Sequence, residues 1–210
     1  MDREESAIRN NIKTLPASNN VLFEDAVRHL KEGRIEVAIK IGINLVNAGY
    51  EHANTLLGAA FEKKGDHSKL QEDYEAALFY YQRAVDKSGA VEGWLALGRF
   101  FYLGKGVQID YSKAFGYYST IVQDIDNGVA HLMLGKMYAE GQGTLQDLAL
   151  ARTHLEIAQR SGHVFAISCL GTVYYKEGRL LLGTWYRIKA GLAAILTMQR
   201  FSRTQTFRRI

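Results

Sequence analysis

Six histidines, one cysteine, three aspartates at matching places and two G-x-G pairs are the residues of this 210-residue chain whose types and spacing could do chemistry. His29, His52, His67, His131, His154 and His163 stand apart, with no H-x-x-x-H or H-E-x-x-H spacing to set two imidazoles on one helix face. The sequence therefore predicts no metal site. Asp73, Asp110 and Asp147 each stand four residues before an alanine and could pass for a set of catalytic carboxylates. An aspartate just ahead of a helix, however, accepts hydrogen bonds from free backbone N–H groups and meets the positive helix end, so capping is the expectation for all three. Cys169 lies in an apolar stretch and reads as a packed thiol, not a nucleophile. Gly104/Gly106 and Gly141/Gly143 lack both the Rossmann spacing and the Walker lysine. Without a nucleophile elbow, a kinase set or paired carboxylates, the expectation is a protein that is not an enzyme and uses no cofactor.

The elements that carry these residues must be helices. One proline against twenty glycines is far below the usual ~5%, and 47% hydrophobic residues suffice for a packed core. A single cysteine makes no internal disulfide, and the N-terminal MDREESAIRNNIKTLPASNN mixes charges where an export signal has a basic start and an apolar core; the expected compartment is the cytoplasm. The net charge of +4 is uneven. Residues 176–210 hold eight basic side chains against Glu177 alone, a net +7 that leaves the preceding body at −3. That acidic body offers no continued basic stripe, so nucleic acid is not expected as a partner.

A Leu-Gly pair recurs at Leu57-Gly58, Leu97-Gly98, Leu134-Gly135 and Leu170-Gly171, at spacings of 40, 37 and 36, each followed three residues on by Phe61, Phe101, Tyr138 or Tyr174. A second comb follows at Ala77, Ala114 and Ala151, with Ala84, Ile121 and Ala158 seven residues further. Each period thus reads as a helix pair, in which small residues let the backbones approach while leucine and aromatic fill the surrounding space.

The segments LGRFFYLGKGVQIDYSKAFGYY (97–118) and LGKMYAEGQGTLQDLALARTHL (134–155) resemble Sel-1-like repeats, relatives of tetratricopeptide repeats with a longer inter-helix loop built on G-x-G and a following Asp. The resemblance covers residues 50–178. The unit from Leu57 departs from it: KKGDHSKLQEDYEAA has no second glycine, and its Gly58 and Ala77 are 19 apart against 16 in the typical units. Ala26 to Ala38 and Gly171 to Gly183 are 12 apart, the shorter loop of ordinary tetratricopeptide units. The expected fold is an all-α, right-handed α-solenoid of about five antiparallel helix pairs with a concave face lined by the first helices. Residues 21–199 form this domain, between a polar tail at 1–20 and a basic tail at 200–210.

Alignment on the Leu-Gly pairs turns His52, Thr55, Glu62, Glu92, Arg99, Tyr102, Lys136, Glu140, Thr172 and Tyr175 toward that face. The mix of charge, ring and hydroxyl suits a protein or peptide ligand, and the resemblance implies a scaffold or adaptor. The same residues could equally solvate the surface. From Leu180 the chain is apolar on more faces than a terminal helix needs, and its longest uncharged stretch is too short to span a bilayer. Trp185, Tyr186, Leu192 and Ile195, beside Arg200 and Arg203, could fold back on the array, dock a second copy or a partner, or lie at a membrane surface, making the chain a peripheral membrane recruiter. The remaining alternative is binding or hydrolysis of cell-wall-like compounds, as in disulfide-linked exported repeat proteins of this kind; the missing cysteine pairs speak against it.

Overall fold

The computed structural model describes the backbone of residues 16–207 and the side chains of residues 19–197. Among these residues ten helices follow one another without a strand: α1 (Pro16–Lys31), α2 (Ile35–Asn47), α3 (Ala53–Ser68), α4 (Gln71–Ser88), α5 (Val91–Leu103), α6 (Tyr111–Asp124), α7 (Gly128–Glu140), α8 (Leu148–Arg160), α9 (Val164–Lys176) and α10 (Leu180–Phe207). They are the predicted helix pairs in order, odd numbers first and even numbers second, and they gather in two compact units, α1 to α5 and α6 to α10. α1 starts at Pro16 and takes in residues 16–20 of the expected tail; proline suits a first helical position, where its missing N–H costs nothing. α10 likewise runs beyond residue 199, to Phe207.

The alanine and leucine combs are the core. Ala77, Ala114, Ala151, Leu57 and Leu170 are wholly buried, and Leu97 and Leu134 nearly so. The role of the glycine is more specific than small meeting small. A Cβ on Gly58 would lie 2.6 Å from the Tyr81 ring, and one on Gly135 2.6 Å from Leu155 Cγ. Each of these large side chains stands four residues after the alanine of the second helix, so the glycine makes room for a bulky partner. At the last pair the backbones themselves meet: a Cβ on Gly171 would lie 3.3 Å from the carbonyl oxygen of Gly183. The aromatics three residues after each glycine then close the pair against a ring of the second helix. Phe61 stacks on Tyr80 at 5.5 Å, Tyr138 stacks on His154 at 5.5 Å, and Tyr174 meets Tyr186 at 5.0 Å.

Two of the three predicted caps form. Asp110 accepts from the Lys113 backbone N–H and Asp147 from that of Leu150, both at 2.9 Å. Asp73 does not cap. The extra residues of its unit lengthen α3 to Ser68 instead of lengthening a loop, Lys69 turns the chain at φ 59°, and α4 begins at Gln71 with Leu70 as its N-cap. Asp73 therefore lies inside the first turn, where it accepts from Ser68 Oγ at 2.6 Å and still meets the positive helix end. The second glycine of each G-x-G is a packing residue. At φ 68°, Gly106 leaves no space for a Cβ beside Tyr74 of α4; at φ 72°, Gly143 leaves none beside the Tyr111 carbonyl of α6. Both loops lie on the second helix of the preceding pair, with their glycines spent on that contact.

Within each unit, consecutive first helices adjoin. Lys63 of α3 donates to the Leu30 carbonyl in the last turn of α1, and Lys176 of α9 donates to the Ala139 carbonyl in the last turn of α7, both at 2.8 Å. The two lysines occupy one register, six residues after the leucine of their Leu-Gly pairs, and each adds a charged donor to a helix-end carbonyl that also accepts from the Gly33 N–H or from Gln146 Nε2.

The glycine constraint gives a test by thermal and chemical unfolding. Gly58→Ala lowers the unfolding free energy by about 1–3 kcal/mol, because a Cβ there overlaps a buried ring. Gly116→Ala, whose Cβ meets nothing within 4 Å on α6, leaves stability unchanged or raises it by up to about 1 kcal/mol. Equal effects at both positions would refute the close approach.

Candidate functional site

In the first unit two of the sequence-predicted residues, Glu62 and Arg99, meet at one buried carboxylate, together with Tyr81 and Lys105. Glu62 lies near the end of α3, 8% exposed, and accepts from Tyr81 Oη at 2.9 Å, Arg99 Nη2 at 2.5 Å and Lys105 Nζ at 2.7 Å. Lys105, from the loop after α5, also donates to Asp66 at 2.8 Å and lies 5.8 and 5.9 Å above the rings of Tyr74 and Phe100. Tyr74 donates to Asp66 at 3.0 Å. Burial, reinforced by the Glu62 charge, drives the Tyr81 hydroxyl far above its usual range, so it stays protonated and donates to Glu62. Burial opposes the charge of Asp66, but Lys105 and Tyr74 hold its carboxyl below the usual value. Burial likewise opposes the Lys105 ammonium, and Asp66 and Glu62 outweigh it and raise its pKa.

Glu62 is thus a correction to the expected partner face. Its carboxylate turns inward because three donors from α4, α5 and the loop after α5 surround it. Arg99 remains about half exposed, its guanidinium anchored on Glu62. His52 is exposed beside the start of α3 with Tyr50 at its ring edge, Glu92 is exposed at the start of α5, and Thr55 and Tyr102 are half-buried. In the second unit Lys136 is half-buried on α7, Thr172 is exposed on α9, and the exposed Glu140 pairs with Lys176 at 2.8 Å. Tyr175 turns toward α10, hydrogen bonded to Thr184 at 2.8 Å beneath the Arg187 guanidinium. A second inward carboxylate, Glu177, takes Arg152 at 2.8 Å and Arg179 at 3.6 Å. Trp185, Leu192 and Ile195 are exposed on α10, Tyr186 packs on α9, and the side chains of Arg200 and Arg203 lie outside the described residues.

One pairing has no motif in the sequence. His131 Nδ1 and His154 Nδ1 are 2.7 Å apart, so one ring donates and the other accepts. His131 also has Asp126 at 3.3 Å from Nε2. His154 sits three residues after Ala151, the register that holds Tyr80 and Tyr186 in other pairs, and this periodicity is the signal that could have found it. Burial lowers both pKa values; the His131 charge lowers that of His154 further, and Asp126 partly opposes the shift at His131. Burial also pushes the Cys169 thiol up, in keeping with a packed side chain. Among the described residues no group of three or more His, Cys, Asp or Glu is arranged to hold a metal. The arrangement offers fixed charges, rings and hydroxyls on adjoining helices, the means of recognition.

Glu62→Gln should lower the unfolding free energy by about 1–3 kcal/mol in chemical denaturation, since it removes a charged acceptor shared by three donors. Glu92→Gln, at an exposed site, should change it by less than about 0.5 kcal/mol. The histidine pair sets a pH dependence. The folded pKa values lie below the unfolded value of 6.5, so the unfolded chain binds more protons and stability falls as pH drops below 6.5. His154→Phe, which keeps a ring on Tyr138, should flatten that fall in melting curves taken across the same range.

The family model for the Sel1 repeat matches residues 52–88, 95–120 and 128–163. Protein sel-1 homolog 2 of Rattus norvegicus is 28% identical over 156 residues, 70% of this chain; the chain spans only 22% of that protein's length. A Sel1 repeat protein from Oxalobacter formigenes superimposes with a TM-score of 0.64 at 27% identity, covering 90% of this chain and 76% of the other. A protective antigen of uropathogenic Escherichia coli strains that displays an SLR fold does so at 0.68 and 20% identity, over 83% of this chain and 38% of its own.

Proposed function

We propose that this chain, which belongs to the Sel1-like repeat proteins, is a non-catalytic scaffold that holds a peptide or protein partner against the exposed sides of its first helices. Sel1-like repeats generally mediate protein–protein interaction. The observation that carries the reading is the locked first-helix surface within each unit. Lys63 and Lys176 tie neighbouring first helices through carbonyl contacts, and Glu62 ties α3 to the Arg99 of α5. A surface fixed in this way orders little on binding, so less of the contact energy is lost to conformational entropy.

On this surface Arg99 is the recognition residue of the first unit, half exposed and oriented from beneath by a carboxylate, with Glu92 and His52 exposed on the same helices. Thr172 and Lys136 are their counterparts in the second. Arg99→Glu would set a second carboxylate against buried Glu62 and unsettle the fold, so Arg99→Gln is the cleaner probe of binding. Among the described residues no helix is long and apolar enough to cross a membrane. The reading takes the cytoplasm as its compartment, on the single cysteine.

A photo-crosslinking residue placed at His52 or Glu92 in the native cell should capture one and the same polypeptide, while the same group at Gln82, exposed on a second helix of that unit, should not. Arg99→Gln should weaken that capture by about tenfold, the loss of one charged hydrogen bond of ~1.4 kcal/mol. Capture that is equal from both sets of positions, or unchanged by Arg99→Gln, would overturn the reading.

A further inference from the structure

The outer face of the second helix is mostly polar on α4, where Phe79 is the exception at 59% exposed, and on α6 and α8, and it is apolar on α10. Counted from the small residue that starts each comb, the same four positions hold Glu75, Phe79, Gln82 and Asp86 on α4, and Ser112, Gly116, Ser119 and Gln123 on α6. On α8 they hold Ala149, Thr153, Glu156 and Arg160, all exposed. On α10 they hold Leu181, Trp185, Ile188 and Leu192, exposed by 90, 52, 60 and 58%. Ile195 and Leu196 extend the stripe by another turn, at 54 and 63%. The helix is not short of a core. Its other side packs on α9 through Leu182, Gly183 and Tyr186, and the stripe lies apart from that contact.

Four occupants could cover such a stripe, and the register and the charges separate them. A further helix pair would stack on the side that α8 uses against α9, where Leu155 and Ala158 are buried. The equivalent α10 positions are Arg187 and Ala190, so a following repeat would leave the outer stripe bare. A second copy would bring two α10 helices together. From residue 180 onward the chain has no acidic residue, whereas Arg187, Lys189, Arg200 and Arg203 are all basic, so self-pairing would concentrate like charge. A partner helix could pack on the stripe as a second copy would, but it would have to bring acidic residues to this basic segment. An anionic lipid surface needs no groove, supplies the opposite charge and takes up the apolar stripe. The Lys189 ammonium, 5.0 Å above the Trp185 ring and 5.3 Å from that of Tyr186, forms the aromatic and basic edge that settles at a headgroup boundary.

We propose that the outer face of α10 docks on an anionic membrane surface, with Leu181, Trp185, Ile188, Leu192 and Leu196 in the acyl boundary and the basic residues of the C-terminal segment at the headgroups. This stands apart from partner binding by the first helices and does not depend on it.

Co-sedimentation of the full chain with vesicles tests it. Partition onto phosphatidylcholine mixed with phosphatidylserine should exceed that onto phosphatidylcholine alone by at least about tenfold, and raised salt should weaken it. Lys189→Gln should reduce partition roughly fivefold. The triple variant Trp185→Thr, Ile188→Glu and Leu192→Arg copies the outer face of α8 and so keeps a pattern that folds in this chain. It should abolish partition while circular dichroism stays unchanged. Equal partition onto both vesicles, no partition, or full partition by the folded triple variant overturns the proposal. So does a mass in sedimentation equilibrium that doubles with concentration in the wild type and not in the triple variant without vesicle binding, which assigns the stripe to a second copy. Binding to soluble polyglutamate that the triple variant loses, with none to vesicles, also overturns it, in favour of an acidic polypeptide.

Discussion

The close approach of two helices at a glycine is the constraint on which the rest of this structure depends. At Gly58 and Gly135 the space of a side chain is already occupied by Tyr81 or Leu155, so neither helix can slide or rotate without a clash. Fixing that one contact fixes the register of everything on either helix. The rings three residues beyond the glycine must face the rings three residues beyond the alanine, which is how Phe61 meets Tyr80 and Tyr138 meets His154. The lysine six residues beyond the leucine must reach the previous first helix, which is how Lys63 finds Leu30 and Lys176 finds Ala139. A local packing rule thus becomes a rule for placing charge at fixed intervals.

The repeat rule was legible in the sequence because it uses residue types at fixed spacing: every comb alanine is buried, and the Leu-Gly leucines line the core. What the sequence did not display depends on where helices end and on which side chains meet across a loop. Asp73 matches the capping aspartates in its distance from the alanine, but α3 runs on to Ser68 and moves the start of the next helix past it. Glu62 shares an alignment column with Tyr102 and Tyr175, which the spacing assigns to the same face, and only the convergence of Tyr81, Arg99 and Lys105, up to 43 residues away, shows its carboxylate turned inward. Ligand spacing along one helix leaves the histidines apart, while His131 and His154 meet between two. The misses at Glu62 and His154 concern pairs distant in sequence, where spacing within one element carries no information, while that at Asp73 concerns where a helix ends.

Burying a carboxylate beneath the proposed partner surface has a physical cost that its position explains. A lone buried acid loses its hydration, and Glu62 recovers it only through three donors held by three separate segments. The same three contacts therefore work as a gauge: they are all satisfied only when α3, α4, α5 and the following loop are in their packed places. Glu177, between Arg152 and Arg179, serves the second unit in the same way. Recognition charges such as Arg99 are then oriented by the fold itself instead of by solvent, and a half-exposed guanidinium keeps donors for a ligand while its position is set from below.

The helix pair also divides labour by face, and the division explains why α10 differs. In each pair the first helix supplies a lateral surface next to its neighbours, the inner side of the second helix supplies the lock, and its outer side meets neither. An outer side has no packing role, so its composition is free of the constraint that fixes the rest; in α8 it is Ala149, Thr153, Glu156 and Arg160, an ordinary exposed face. On α10 the same freedom is used for six large apolar residues, while Gly183 and Tyr186 keep the inner side in register with α9. The apolar stripe therefore adds nothing to the stability of the pair and exposes surface that water disfavours. The proposed membrane contact would use a stripe that the helix's own packing leaves unused.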